Sequence, residues 1–253
     1  MKLIRGFTLV EIAVVLMILG LLLGGLLIPL SAQMDQQKIR VTQQRLEEIK
    51  EALIGFAILN GRLPCPAEYY QFDKQNPTTT KDAGKEEPSF CETEGYLPWK
   101  DLGIEKHDGW GHPFRYRVDG YFSNGPGFPN PPNHPNKSII PLIIKDGQEQ
   151  LNITDETKNH SNVVAIIFSC GKNGRPDDDN DADGTLNSDA QCTNEGTAIK
   201  QTYIQDLYVE NQFDDILISL PKSILINRVT AAGKWPLCRY EAPQTACNPN
   251  YTP

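Results

Sequence analysis

The densest group of side chains able to do chemistry is Asp177-Asp178-Asp179-Asn180-Asp181-Ala182-Asp183-Gly184. Carboxylates at Asp179, Asp181 and Asp183, followed by Gly184, reproduce the first half of an EF-hand loop. There, alternate side chains converge on a hard cation such as Ca2+ and the glycine makes the turn. The closing Glu would stand at 190, which is Ala190, and Asp189 falls one place early, so the alternative is a solvated acidic loop. Catalysis has less to work with. His107, His112, His134 and His160 show no metal-ligand spacing, and no Gly-x-Ser-x-Gly, phosphate loop or dinucleotide fingerprint is present. The Asp run has no partnering base, so the chain is expected not to be an enzyme.

Six cysteines carry the remaining reactive groups: Cys65, Cys91, Cys170, Cys192, Cys238 and Cys247. None forms a Cys-x-x-Cys pair, which argues against zinc and redox motifs and for disulfides in an oxidising compartment. Neighbour pairing, 65 with 91, 170 with 192 and 238 with 247, is the expectation, because each bridge would close a Pro-, Gly- or Asp-rich loop.

One charge stands where charge is least welcome. From Gly6 the chain reads Gly-Phe-Thr-Leu-Val-Glu and then runs apolar from Ile12 to Leu30, with Glu11 the only charged residue. At about 1.5 Å per residue, Phe7 to Ile28 is long enough to cross a hydrocarbon core of about 30 Å as a helix. A carboxylate deep in a bilayer costs roughly 2.5 to 3.5 kcal/mol, so Glu11 calls for a partner. The run is too long for a secretory signal, and no convincing Ala-x-Ala follows it. A plain anchor would explain neither Glu11 nor the short leader that ends directly before a Phe.

The first 30 residues resemble the amino terminus of type IV pilins and type II secretion pseudopilins. The resemblance implies that residues 1–6 are a leader removed by a prepilin peptidase between Gly6 and Phe7. Phe7 would then be N-methylated, and Glu11 would be the fifth-position acid that meets the terminal amine of Phe7 on a neighbouring subunit. It further implies export: the basic leader stays cytoplasmic, residues 7–30 cross the inner membrane once, and the domain beyond lies in the periplasm or, after assembly, in a filament. The partners implied are other pilin or pseudopilin subunits and an inner-membrane assembly platform.

The elements that must position these groups follow in order. Gly20 and Gly24 make a Gly-x-x-x-Gly, and Pro29 predicts a kink or local melting near Leu26. Residues 31–60 continue the helix amphipathically, with Leu46, Ile49, Leu53 and Phe56 on one face and Arg45, Glu47, Lys50 and Glu51 between them. Gly61 and Leu63-Pro64-Cys65-Pro66 end it. Residues 61–253 form the globular domain, with irregular insertions at 67 to 95 and 119 to 160. Strands are predicted through Val118, over Ile139 to Ile144, Val163 to Ser169 and Asp214 to Leu220, and a short helix over Pro221 to Ala232.

Asp108-Gly109-Trp110-Gly111-His112-Pro113-Phe114-Arg115-Tyr116 resembles the Asp-Pro-Trp-Gly-Asn-Pro-Tyr-x-Tyr block of the major pseudopilin, with Gly109 and His112 departing from it. A tight turn with Trp110 as a buried plug, entering a strand whose aromatics face the helix, is the physical reading. Ser169-Cys170-Gly171-Lys172-Asn173-Gly174 and Asp214-Asp215-Ile216 are similar to that protein's calcium loop. The resemblance makes Asp214 and Asp215 the Ca2+ ligands and places the acidic run on a loop inserted between the two halves.

The expected fold is therefore α+β and pilin-like: a long N-terminal helix, transmembrane then amphipathic, packed on an antiparallel sheet. The chain has 253 residues and a net charge of −8, which argues against nucleic acid as a partner. A structural pilus or pseudopilus subunit is the leading function. A minor pilin acting as a tip, adhesion or DNA-binding module is the alternative, and a monomeric anchored binding protein is the third.

Overall fold

The computed structural model describes residues 8–67, 84–87, 91, 93–123, 151–154, 159–177, 180, 202–209 and 213–233, with the backbone alone for 23–32, 121 and 159–161. The expected strand over Ile139 to Ile144 lies outside them. Helix α1 spans Leu9–Asn60, about 78 Å at the usual rise. It stops where glycine permits: Gly61 sits at φ 71° and its N–H donates to Ala57 O. Helical structure continues through Pro29, so the melting expected near Leu26 does not occur in the single chain. A proline removes one backbone donor, and α1 runs on past it to Asn60.

The second half of α1 supplies one wall of the core. Leu46, Ile49, Leu53, Ile54 and Ala57 are buried against Leu63, Leu97, Phe114, Tyr116, Val118 and Phe122. Phe56, expected in the stripe, is half-exposed beneath the Arg62 guanidinium; Ile54 and Ala57 carry the face instead.

The opposing layer is a six-stranded sheet: β1 (Gly95–Tyr96), β2 (Arg115–Val118), β3 (Leu151–Thr154), β4 (Asn159–Ser169), β5 (Thr202–Ile204) and β6 (Ile216–Pro221). A short helix α2 (Trp99–Leu102) precedes β2, and α3 (Lys222–Ala231) follows β6. β4 is the hub: β2 and β3 follow one another along one of its edges, and β6 runs along the other. The sheet is mixed rather than antiparallel, because β3 and β5 pair in parallel. Parallel neighbours need a long connection; the chain between β3 and β5 passes through β4 and the acidic insertion, which is length enough.

Both faces of the sheet are covered. All four residues of β2 are buried: Tyr116 and Val118 face α1. On the opposite side Leu151, Ile153, Val163, Ile166, Phe168, Tyr203 and Leu217 form a second core. That second core holds charge. Arg115 pairs with Glu94 at 2.8 Å with both side chains almost fully buried, and Tyr203 Oη donates to the other Glu94 oxygen at 2.6 Å. The chain after α1 is pinned by Arg62, which grips Glu86 through two nitrogens at 2.5 and 2.6 Å, and by a Cys65–Cys91 disulfide with Cα atoms 4.5 Å apart.

Candidate functional site

Asp108 organises the turn before β2. Its Oδ1 accepts the amides of Trp110 and His112 at 2.9 and 2.8 Å, and its Oδ2 accepts the Ser169 hydroxyl at 2.5 Å. This is an Asx-type turn in which a side chain stands in for backbone acceptors. The turn is bolted to α1: Arg45 donates to the carbonyls of His107 and Asp108, and Gly109 N donates to Thr42 Oγ1 at 2.9 Å. A Cβ on Gly109 would lie 2.4 Å from the Lys38 carbonyl, so only glycine lets the two backbones approach this closely. Trp110 is half-buried and is not the plug expected of it; Phe114 and Tyr116, fully buried, take that place.

From this turn the geometry leads to a carboxylate cluster. His112 Nδ1 lies 2.9 Å from Gly171 O, which makes Nδ1 the protonated nitrogen, since a carbonyl only accepts. Gly171, at φ 55°, lets the loop after β4 pass against Asp214, where a Cβ would meet the Asp214 carbonyl at 2.1 Å. Register pairing of Ser169 with Ile216 brings the end of β4 beside the start of β6. The result gathers Asp177, Asp214 and Asp215, each offering an oxygen within 4.8 Å of the others.

In that cluster two carboxylates divide their oxygens between support and presentation. Asp214 Oδ2 accepts Asn173 N at 2.8 Å, and Asp215 Oδ2 accepts Asp177 N at 3.0 Å and Asn180 Nδ2 at 3.0 Å. Their Oδ1 atoms are buried and accept nothing from the described residues. Asp177 Oδ2 in turn accepts the amides of Asp214 and Asp215 at 2.6 and 3.0 Å. Burial, then the nearby Asp177 charge, raises Asp215 well above the ordinary carboxylate range; burial raises Asp214 too, against the hydrogen bond from Asn173. Two orphaned oxygens among three converging acids are a donor set for a hard cation, whose charge would offset both penalties. The residues therefore fit Ca2+ chemically.

The acids at the N-terminus are placed differently. Glu11 is the third residue of α1 and forms a capping box with Thr8: Glu11 N donates to Thr8 Oγ1 at 3.3 Å and Thr8 N to Glu11 Oε2 at 3.5 Å. Glu11 thus has a weak partner within its own chain. Gly6 and Phe7 lie outside the described residues, as do Asp179, Asp181 and Asp183. No helix of the described residues is long and apolar enough to cross a membrane.

The family description "Prokaryotic N-terminal methylation motif" matches residues 1–27. The type II secretion system core protein G of Pseudomonas aeruginosa is 31% identical over 115 residues, which is 46% of this chain and 74% of that protein. The chain belongs to the pilin and pseudopilin family. No solved structure matches it. In this chain Gly109 stands where the resembled block has proline, and it supplies the amide that Thr42 accepts, a donor that proline lacks.

Of the ligands expected by resemblance, Asp214 and Asp215 do converge, and among the described residues Asp177, the first acid of the run, joins them; 179, 181 and 183 lie outside the described residues. The sequence signal of Asp177 is an Asp directly after Pro176, in step with the alternation of 179, 181 and 183 but one place ahead of the EF-hand triplet. Cys65 and Cys91 pair as expected. Cys170 is also disulfide-bonded, while Cys192, Cys238 and Cys247 lie outside the described residues.

Proposed function

We propose that this protein is a structural subunit of a type II secretion pseudopilus or type IV pilus. In this reading it is cleaved between Gly6 and Phe7, N-methylated at Phe7, held by one inner-membrane span, and assembled through α1. The observation that carries the reading is the first half of that helix. Leu9, Val10, Leu16, Met17 and Leu21 are between 62% and 86% exposed, and a helix apolar on every side belongs inside something. A bilayer supplies that surrounding before assembly and neighbouring helices supply it afterwards. The Glu11 carboxylate, held only by its own capping box in the single chain, gains the charged amine of Phe7 on the next subunit, so two unfavourable charges cancel on assembly.

The test compares wild-type and Glu11→Leu protein at equal membrane levels. Processing and folding of the domain are expected to be unchanged, with Phe7 the methylated terminus by mass spectrometry, while incorporation into filaments falls at least tenfold. Equal incorporation of the two proteins would overturn the reading.

The same subunit is read as binding Ca2+ through Asp177, Asp214 and Asp215, supported by the two buried oxygens that have no donor among the described residues. Millimolar Ca2+ is expected to raise the melting temperature of the full chain over that in chelator, by mass action on the folded state. Asp214→Asn should abolish the rise and Asp181→Ala should leave it. An accessory subunit with a tip role is a second reading, favoured by β5, a strand carried on the acidic insertion and paired into the sheet. No enzymatic role is assigned.

A further inference from the structure

The acidic insertion lies between the two halves of the carboxylate cluster, and one side chain ties its near end to its far end. Asn180 is 1% exposed. Its Nδ2 donates to Ile204 O at 2.9 Å and its Oδ1 accepts Ile204 N at 2.8 Å, so the amide pairs with β5 as another strand would. The same Nδ2 donates to Asp215 Oδ2 at 3.0 Å. The bond holds one oxygen of a carboxylate that stands in the Asp177–Asp214–Asp215 group, and so fixes the orientation of its Oδ1, which is buried without a donor among the described residues.

We infer that Asn180 is a positioning residue through which docking of β5 sets the affinity of the carboxylate site for Ca2+. The inference rests on the cation reading above. Physically it is a supporting shell: a ligand oxygen is useful only if its partner oxygen is held, and loss of such a support typically weakens metal affinity about 10- to 100-fold. Asn is suited to the role because it carries a donor and an acceptor at once. Asp in its place would put a fourth carboxylate against Asp215, and an apolar residue would leave Ile204 N and O unpaired. The linkage is reciprocal, so a bound cation must also tighten β5 on its neighbour by the same coupling free energy.

The experiment uses the full chain in detergent, titrated calorimetrically with CaCl2. Asn180→Ala should raise Kd about tenfold or more and shrink the Ca2+-induced rise in melting temperature. A merely structural residue would lower melting equally in Ca2+ and in chelator and leave that difference intact. Thr202→Ala, an exposed β5 position, should keep wild-type affinity, and an equal loss there would overturn the assignment to Asn180. If Asn180→Ala fails to fold, hydrogen exchange on the wild type decides. The Ile204 amide should exchange severalfold more slowly with Ca2+ than with chelator, and equal rates would overturn the inference. A wild type that binds no Ca2+ removes the cation reading and this inference together; a wild type that binds, with Asn180→Ala binding equally, removes only the inference.

Discussion

Glu94 shows how little of a buried charge's role is visible from its neighbours in sequence. It sits in a polar stretch, yet it receives Arg115 and Tyr203 on its two oxygens beneath the second core. Such a pair contributes little relative to apolar residues of the same shape, but removing one partner strands the other. Glu94→Ala should therefore destabilise the domain by about 3 to 5 kcal/mol; adding Arg115→Met should recover part of that loss. A urea-denaturation double-mutant cycle checks both. Asp214 and Asp215 were legible as a pair through the resemblance of Asp214-Asp215-Ile216 to the calcium loop of the major pseudopilin. Asp177 was not, because the EF-hand spacing drew attention to 179, 181 and 183, while its convergence depends on strand pairing far away in the chain.

Among the elements, the 108–112 turn is the one whose sequence and position explain each other. Gly109 lies against the α1 backbone and Asp108 satisfies the turn's own amides. Gly109→Ala must push the turn off the helix, and a loss of roughly 1 to 3 kcal/mol is expected, as for an overpacked core. Gly109→Pro, which would restore the family residue, should lose the Thr42 bond as well. Thermal melting of the three proteins ranks them. Gly171→Ala would drive a methyl into the Asp214 carbonyl, so the Ca2+ response should disappear even where the domain still folds. The helix end at Gly61, β4, β6 and α3 followed from periodicity and punctuation. β1, β3 and β5 did not, because segments of two to four residues carry no measurable period. Their pairing is a tertiary result.

For the whole molecule, two buried phenols set a limit at high pH. Burial raises both Tyr116 and Tyr203 well above their ordinary value of 10.0, and Glu94 adds to the shift at Tyr203. Their contribution to stability is fully present below about pH 10 and falls as pH rises towards the folded values, since only the unfolded chain releases those protons. Denaturant midpoints measured from pH 9 to 11 should decline, and Tyr203→Phe should flatten the decline; an unchanged slope in that variant would assign the loss elsewhere. The α+β class and the helix-on-sheet plan could be read from the sequence, whereas the second core could not. Two of its strands, β3 and β5, are brief, and its charged members Glu94 and Arg115 have the types of surface residues although both are buried.

The hydrogen bond from Asp214 N to Asp177 Oδ2 joins residues 37 positions apart. Whatever holds those two acids together closes a loop, and the entropy of closure grows only as the logarithm of length, about 0.6 kcal/mol for each doubling. An insertion at this place is therefore tolerated: a loop lengthened fourfold weakens closure by roughly tenfold at most, a loss that one well-placed support such as Asn180 can offset. The break between the halves of the site is a point where the fold can accept new chain without surrendering the old contacts.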